Sequence, residues 1–124
     1  MQINTIESED SIIINNVAGE VKFNEITGYF NKYNNEWVGK PVIWNFSEAD
    51  FSNISSDHLL QFSKKIKSFS SSRREERTAI VSSDDLSFGM MRMFEVFAEI
   101  DSFDNSFHHF RAIKEAKKWL KSKE

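Results

Sequence analysis

A chain of 124 residues has the size of one ordinary domain, and 40% apolar with 28% charged residues is a globular rather than a disordered balance. A net charge of −3 speaks against a nucleic-acid binder, and the absence of cysteine excludes a disulfide framework, a thiol nucleophile and a thiolate metal site. Phenylalanine occurs 12 times, and each buried ring contributes roughly 1.5–3 kcal/mol, enough for a core without covalent staples.

The start, "MQINTIESED", lacks the basic flank and apolar run of a secretory leader, and no apolar run approaches the ~18 residues that span a bilayer. A cytoplasmic protein without a transmembrane segment is the expectation. "INTI" (3–6) and "SIIINNVAGEV" (11–21) read as two strands separated by the turn formers "ESED". The period then changes: Phe23, Ile26, Phe30, Tyr33 and Trp37 recur every three or four residues on one helical face. "NNEWVGKP" ends that helix, and "PVIWNF" (41–46) is a short β-branched and aromatic run suited to a central strand.

"SEADFSNISS" reads as a loop whose Ser55 or Ser56 caps the next helix, with Leu59, Phe62, Ile66 and Phe69 on its apolar face. "SSSRREER" (70–77) is a polar linker, "TAIVSS" (78–83) a buried strand, and residues 84–100 a third helix. "NSFHHFR" (105–111) is a last strand, and Ile113, Ala116, Trp119 and Leu120 mark a closing helix. Strands that alternate with helices imply parallel crossovers, hence one α/β domain over 1–124: a mixed, mainly parallel sheet of about five strands with four helices. The helices lie either all on one face or split between both.

Two passages carry a family resemblance. "IIINNVAGEV" places Gly19-Glu20-Val21 at the end of the second strand, and "VIWNFSEADFSNISSDHLL" runs from a strand through a polar stretch to paired serines at a helix start. With the element order, they resemble the STAS domain of bacterial anti-sigma-factor antagonists and sulfate-transporter tails. The stretches "TAIVSSDDL", "FGMMRMFEVFAE" and "AIKEAKKWL" look closer to a group of small bacterial STAS-like proteins. The resemblance implies a non-enzymatic regulatory or protein-interaction module, and it makes Ser55 and Ser56 candidate phosphorylation sites. Antagonists usually have Asp before the serine pair and Gly after it; here Asn53 and Ile54 precede and Asp57 follows, where it would repel a phosphate.

Nucleotide-loop, nucleophile-elbow and His-Glu-x-x-His motifs are absent, so neither a catalytic nor a cofactor site is expected. His108 and His109 are adjacent in a strand and point to opposite faces, which argues against a metal site, and no spacing sets a histidine beside a serine. Basic residues from Lys64 to Arg77 and along the last helix read as solvated faces, or as a patch for an acidic partner where the two tracts meet.

The helix "DDLSFGMMRMFEVFAEI" (84–100) holds a glycine, one cation and a wide apolar arc. Leu86, Met90, Met93, Phe94 and Phe97 form one face, expected to be the core. Asp85, Phe88, Gly89, Met91 and Arg92 are the candidate partner or ligand surface, because Met adapts to binding, Gly admits a close backbone and Arg anchors anions; the competing reading has Phe88 and Met91 close the core against a neighbouring helix and Arg92 pair with Asp85 or Glu95. A protein partner is the first expectation, with a second copy of the chain as an option. A lipid or other small apolar or anionic ligand is the alternative, and an unrecognised hydrolase the residual.

Overall fold

The computed structural model describes residues 1–37, 39–69, 77–100 and 107–122. Along the chain these form β1 (Gln2–Glu7), β2 (Ile13–Glu20), α1 (Phe23–Tyr33), a 3₁₀ turn (Asn34–Trp37), β3 (Val42–Asp50), α2 (Ser56–Phe69), β4 (Thr78–Val81), α3 (Asp85–Ile100), β5 (Phe107–Phe110) and α4 (Ile113–Lys121). The α/β class expected from the alternation is the one observed: one mixed sheet, with β1 antiparallel to β2 and all later neighbours parallel.

Strand order in space, β1-β2-β3-β4-β5, equals strand order in the chain. A parallel crossover is right-handed almost without exception, so a sheet that always grows in one direction receives every crossover helix on the same face. The side chains follow this rule. Ile26 and Phe30 of α1, Leu59 of α2, and Met91 and Phe94 of α3 are buried with Ile13, Val17, Trp44, Phe46 and Ile80 of the sheet. Helix α4, which follows β5, covers the opposite face, where Ala116 meets Ile12, Ile14, Ile43, Ala79 and Val81. Of the two arrangements open from sequence, the split between faces is therefore correct. It also explains Ile12-Ile13-Ile14 and the fully buried β4, whose neighbouring residues must feed alternate cores.

Helix α4 ends under a clip from the start of β4. The Arg77 guanidinium donates to the carbonyls of Trp119 (2.8 Å) and Ser122 (3.1 Å) and lies 5.0 Å from the Trp119 ring centroid. It satisfies carbonyls that a helix end leaves without partners and places a cation at the negative end of its dipole. Of the first basic tract, Arg77 alone is seen against α4, where it serves as a cap, Arg73 and Arg74 lying outside the described residues.

Two boundaries differ from the sequence expectation. Helix α1 stops at Tyr33, and the 3₁₀ turn delivers Trp37 to the core, with Gly39 at φ +84° in the turn that follows. Strand β3 runs on through the "SEAD" expected to be loop, because β2 continues beside it and pairs it as Ala18–Glu48, Gly19–Ala49 and Glu20–Asp50 beyond a bulge at Asn16/Ala18. The bulge is tied by Asn45, whose amide donates to Asn16 and whose carbonyl accepts from the Ser47 amide and hydroxyl. Most of the polar linker expected over 70–77 (residues 70–76), and residues 105 and 106 of the last expected strand, lie outside the described residues.

Candidate functional site

The rotation of α3 about its axis decides which residues are free to act, and it differs from the expectation. Met91 and Phe94 face the sheet, 4% and 2% exposed, whereas Leu86 and Met93, expected in the core, are 53% and 38% exposed. Met91 is thus removed from the candidate surface. The cause is steric: Phe94 fills the space beside Phe62 (ring centroids 5.9 Å apart), and Phe88 must lie over β5, where its ring is 4.2 Å from that of His109. The apolar arc of α3 is wide enough for either rotation; its neighbours choose.

Phe88 is half buried between His109 and the Arg111 guanidinium, which lies 3.9 Å from its ring centroid. Arg111 also donates to the Ser83 carbonyl (3.1 Å) and pairs with Asp85 at 3.3 Å, so Asp85 is engaged in fastening the start of α3 to the end of β5. Gly89 is exposed, and a Cβ built there would meet nothing within 4 Å among the described residues.

Below this clamp a groove of about 350 Å³ runs between α3 and β5, lined by Phe88, Arg92, Glu95, Val96, His108 and His109. The two imidazoles do start on opposite faces of β5, as alternation requires. His109 packs on Phe88, while His108 lies 5.1 Å from the Phe110 ring and 5.5 Å from Trp119 on the α4 side. Because β5 is the edge of the sheet, Glu95 reaches around it. One carboxylate oxygen is 3.4 Å from His108 Nδ1, and the other is 3.5 Å from His109 Nδ1. The edge thus brings together two histidines that strand alternation separates.

His109 also shares a hydrogen bond of 3.0 Å between Nε2 and the Ser82 hydroxyl, which corrects the expectation that no serine has a histidine beside it. Ser82, His109 and Glu95 occur in the order of nucleophile, base and orienting acid. Their setting opposes that chemistry: Ser82 is fully buried, whereas a reacting carbonyl must come to roughly 3–3.5 Å from the nucleophile. Glu95 is shared between two rings at distances longer than a hydrogen bond, and the acidic Asp84 and Asp85 follow the serine. What the trio does is satisfy a buried imidazole.

At the start of α2, Ser55 is the N-cap. Its hydroxyl accepts from the His58 amide (3.2 Å), and His58 Nδ1 accepts from the Ser55 amide (3.1 Å), a capping box with imidazole in place of the usual carboxylate or amide. Ser55 and Ser56 are both exposed. In the loop before them, the Ser52 backbone amide, and next its hydroxyl, hold the Asp50 carboxyl below its ordinary value.

A second, apolar cavity of about 40 Å³ lies between the helices and the sheet, walled among others by Val21, Phe23, Trp44, Phe46, Leu59 and Phe94. Benzene enters cavities of ~150 Å³, so this space falls well short of an acyl chain. Among the described residues no group of three or more His, Cys, Asp or Glu side chains is placed to hold a metal ion, and no helix is long and apolar enough to cross a membrane.

Four of the groove's residues escaped attention in the sequence. Glu95 was visible only as a neighbour of Arg92, the histidines only as metal candidates, and Val96 not at all. The adjacent histidines of β5 and the residues three and four apart in α3 carry the signal, but only once the two elements are known to touch. No family model, no curated protein and no solved structure matches the chain.

Proposed function

We propose that the chain is a STAS-like, non-enzymatic protein-interaction module that docks its partner on the outward stripe of α3. One observation carries this reading. Leu86, Gly89, Met93 and Val96 recur at intervals of three, four and three, and the three side chains are 53%, 38% and 53% exposed. That is the seam spacing of a helix that receives another helix. Apolar surface of this kind marks contact sites, and a mid-helix glycine that its own fold leaves uncovered admits a close backbone. The burial of Ser82 favours binding over catalysis. The cysteine-free chain fits a reducing, cytoplasmic setting. A phosphate on Ser56 would meet the α2 amide terminus and be opposed by Asp57, so such a modification would act by charge at the neighbouring helix.

The test is capture from native lysate with the wild-type chain and Met93→Glu in parallel, both verified as folded by circular dichroism. A protein retained by wild type and lost with Met93→Glu supports the reading. Equal retention, or no retained protein, counts against it. Sedimentation of the purified chain separates a second copy from a foreign partner.

A further inference from the structure

Arg92 has acidic residues on either side of it in α3, Asp85 and Glu95, and pairs with neither. Asp85 is held by Arg111 at 3.3 Å, and both oxygens of Glu95 face imidazoles at 3.4 and 3.5 Å. The exposed guanidinium has no hydrogen bond or ion pair among the described residues. A solvated arginine on a convex helix would mean little. This one stands in the wall of a groove of about 350 Å³, inside the range of ~300–1,000 Å³ typical of small-ligand sites.

We propose that the groove between α3 and β5 binds a small organic anion, with its carboxylate or phosphate held by Arg92 and its apolar body laid against Phe88 and Val96. The guanidinium presents five donors in a planar fork that matches either head group in two parallel hydrogen bonds. Phe88 offers a half-buried ring and Val96 an exposed branched side chain, 53% accessible, so the wall beside the cation is apolar. Among the described lining residues Glu95 is the acidic one, and each of its oxygens faces an imidazole Nδ1. An anion meets in Arg92 a cation that has no hydrogen bond or ion pair among the described residues. The apolar cavity of about 40 Å³ lies elsewhere and is too small for the ligand's body, so the body stays in the groove. Val96 belongs to both this wall and the α3 stripe, whereas Met93 takes no part in lining the groove, so the two readings can be tested apart.

Nuclear magnetic resonance titration of the ¹⁵N-labelled full chain with benzoate, phenyl phosphate and benzylammonium tests the proposal. Benzoate or phenyl phosphate should shift the amides of Arg92, Val96, His108 and His109 with a Kd of about 1 mM or tighter, and benzylammonium should not. Arg92→Gln should weaken the anion about tenfold or more, since hydrogen bonds to a charged group are the strong ones; Arg92→Lys, a single cation without the fork, should fall between. Met93→Ser, which removes apolar surface from the stripe without adding a charge beside Arg92, should leave the titration unchanged, which separates failure of this site from failure of the docking surface. Equal shifts with benzoate and benzylammonium, or an Arg92→Gln variant that binds as wild type, would overturn the proposal. So would flotation with phosphatidylglycerol vesicles that depends on Arg92 while free anions produce no shift: that outcome assigns the cation to a lipid surface.

Discussion

Ser55 and His58 each accept the other's backbone amide across the first turn of α2, and the His58 ring also stacks on Phe23 of α1, centroids 4.6 Å apart. One imidazole therefore closes the helix start and joins two helices on the same face of the sheet. His58→Ala should lower unfolding stability by about 0.5–2 kcal/mol, the range for losing a cap, and His58→Gln should keep most of it because an amide can complete the box. Because the two residues share one device, Ser55→Ala combined with His58→Ala should cost less than the sum of the single changes in urea titration.

The buried contact between Ser82 and His109 gives a second prediction. Ser82→Ala removes the partner of a ring nitrogen whose residue is 8% exposed, so it should destabilise by ~1–3 kcal/mol, the cost of an unsatisfied buried polar group. Thermal unfolding by circular dichroism measures it. An unchanged melting temperature would mean that the imidazole turns to another partner.

Acid should loosen the attachment of α4. Lys121 Nζ is 2.7 Å from Asp10, and this hydrogen bond, followed by the same ammonium's charge, holds the Asp10 carboxyl below its ordinary 3.8. A carboxyl with a lowered folded value stabilises the fold above its unfolded value and loses that contribution as pH falls through the folded one. The loss therefore belongs below about pH 3.8, and Asp10→Asn should flatten that part of the stability profile by removing the small contribution present at neutral pH while leaving the acid end little changed. Both groups are solvent-exposed, so 1 M salt should shrink the difference between the variants.

Gly89→Ala should stabilise the isolated chain by up to about 1 kcal/mol, since alanine is the better helix former and the new methyl meets nothing within 4 Å. If a helix docks on the α3 stripe, the same change should weaken that docking. Opposite signs in melting temperature and in partner affinity are the expected pair of results.

The alternation of short apolar runs with amphipathic stretches made the strands, helices and mixed parallel sheet legible. Other features were not, for physical reasons. The polar end of β3 is a strand because β2 runs beside it, and nothing local in Ser47, Glu48 and Asp50 says so. The rotation of α3 was ambiguous because its apolar arc exceeds what one contact needs. Met91 and Met93 have equal hydropathy, and only Phe62 and His109 distinguish the two faces. The Ser82–His109 contact spans 27 residues and needs the pairing of β4 with β5, which alternation within each strand does not encode. Of the candidate surface, Phe88 and Arg92 share the groove, Asp85 is held above it, Gly89 lies on the outward stripe, and Met91 belongs to the core.

A sheet whose spatial order repeats its chain order also sets a folding sequence. Each strand from β2 to β5 needs only the next helix to reach its neighbour, so loop closure stays local and the three-helix face can assemble progressively. Helix α4 alone turns back, over strands laid down earlier, with Ala116 seated against Ile43, Ala79 and Val81 and Arg77 fastened to its end. Its docking should come late. Substitutions at Ala116 should then speed unfolding more than they slow folding, the reverse of those at Phe30 or Phe94.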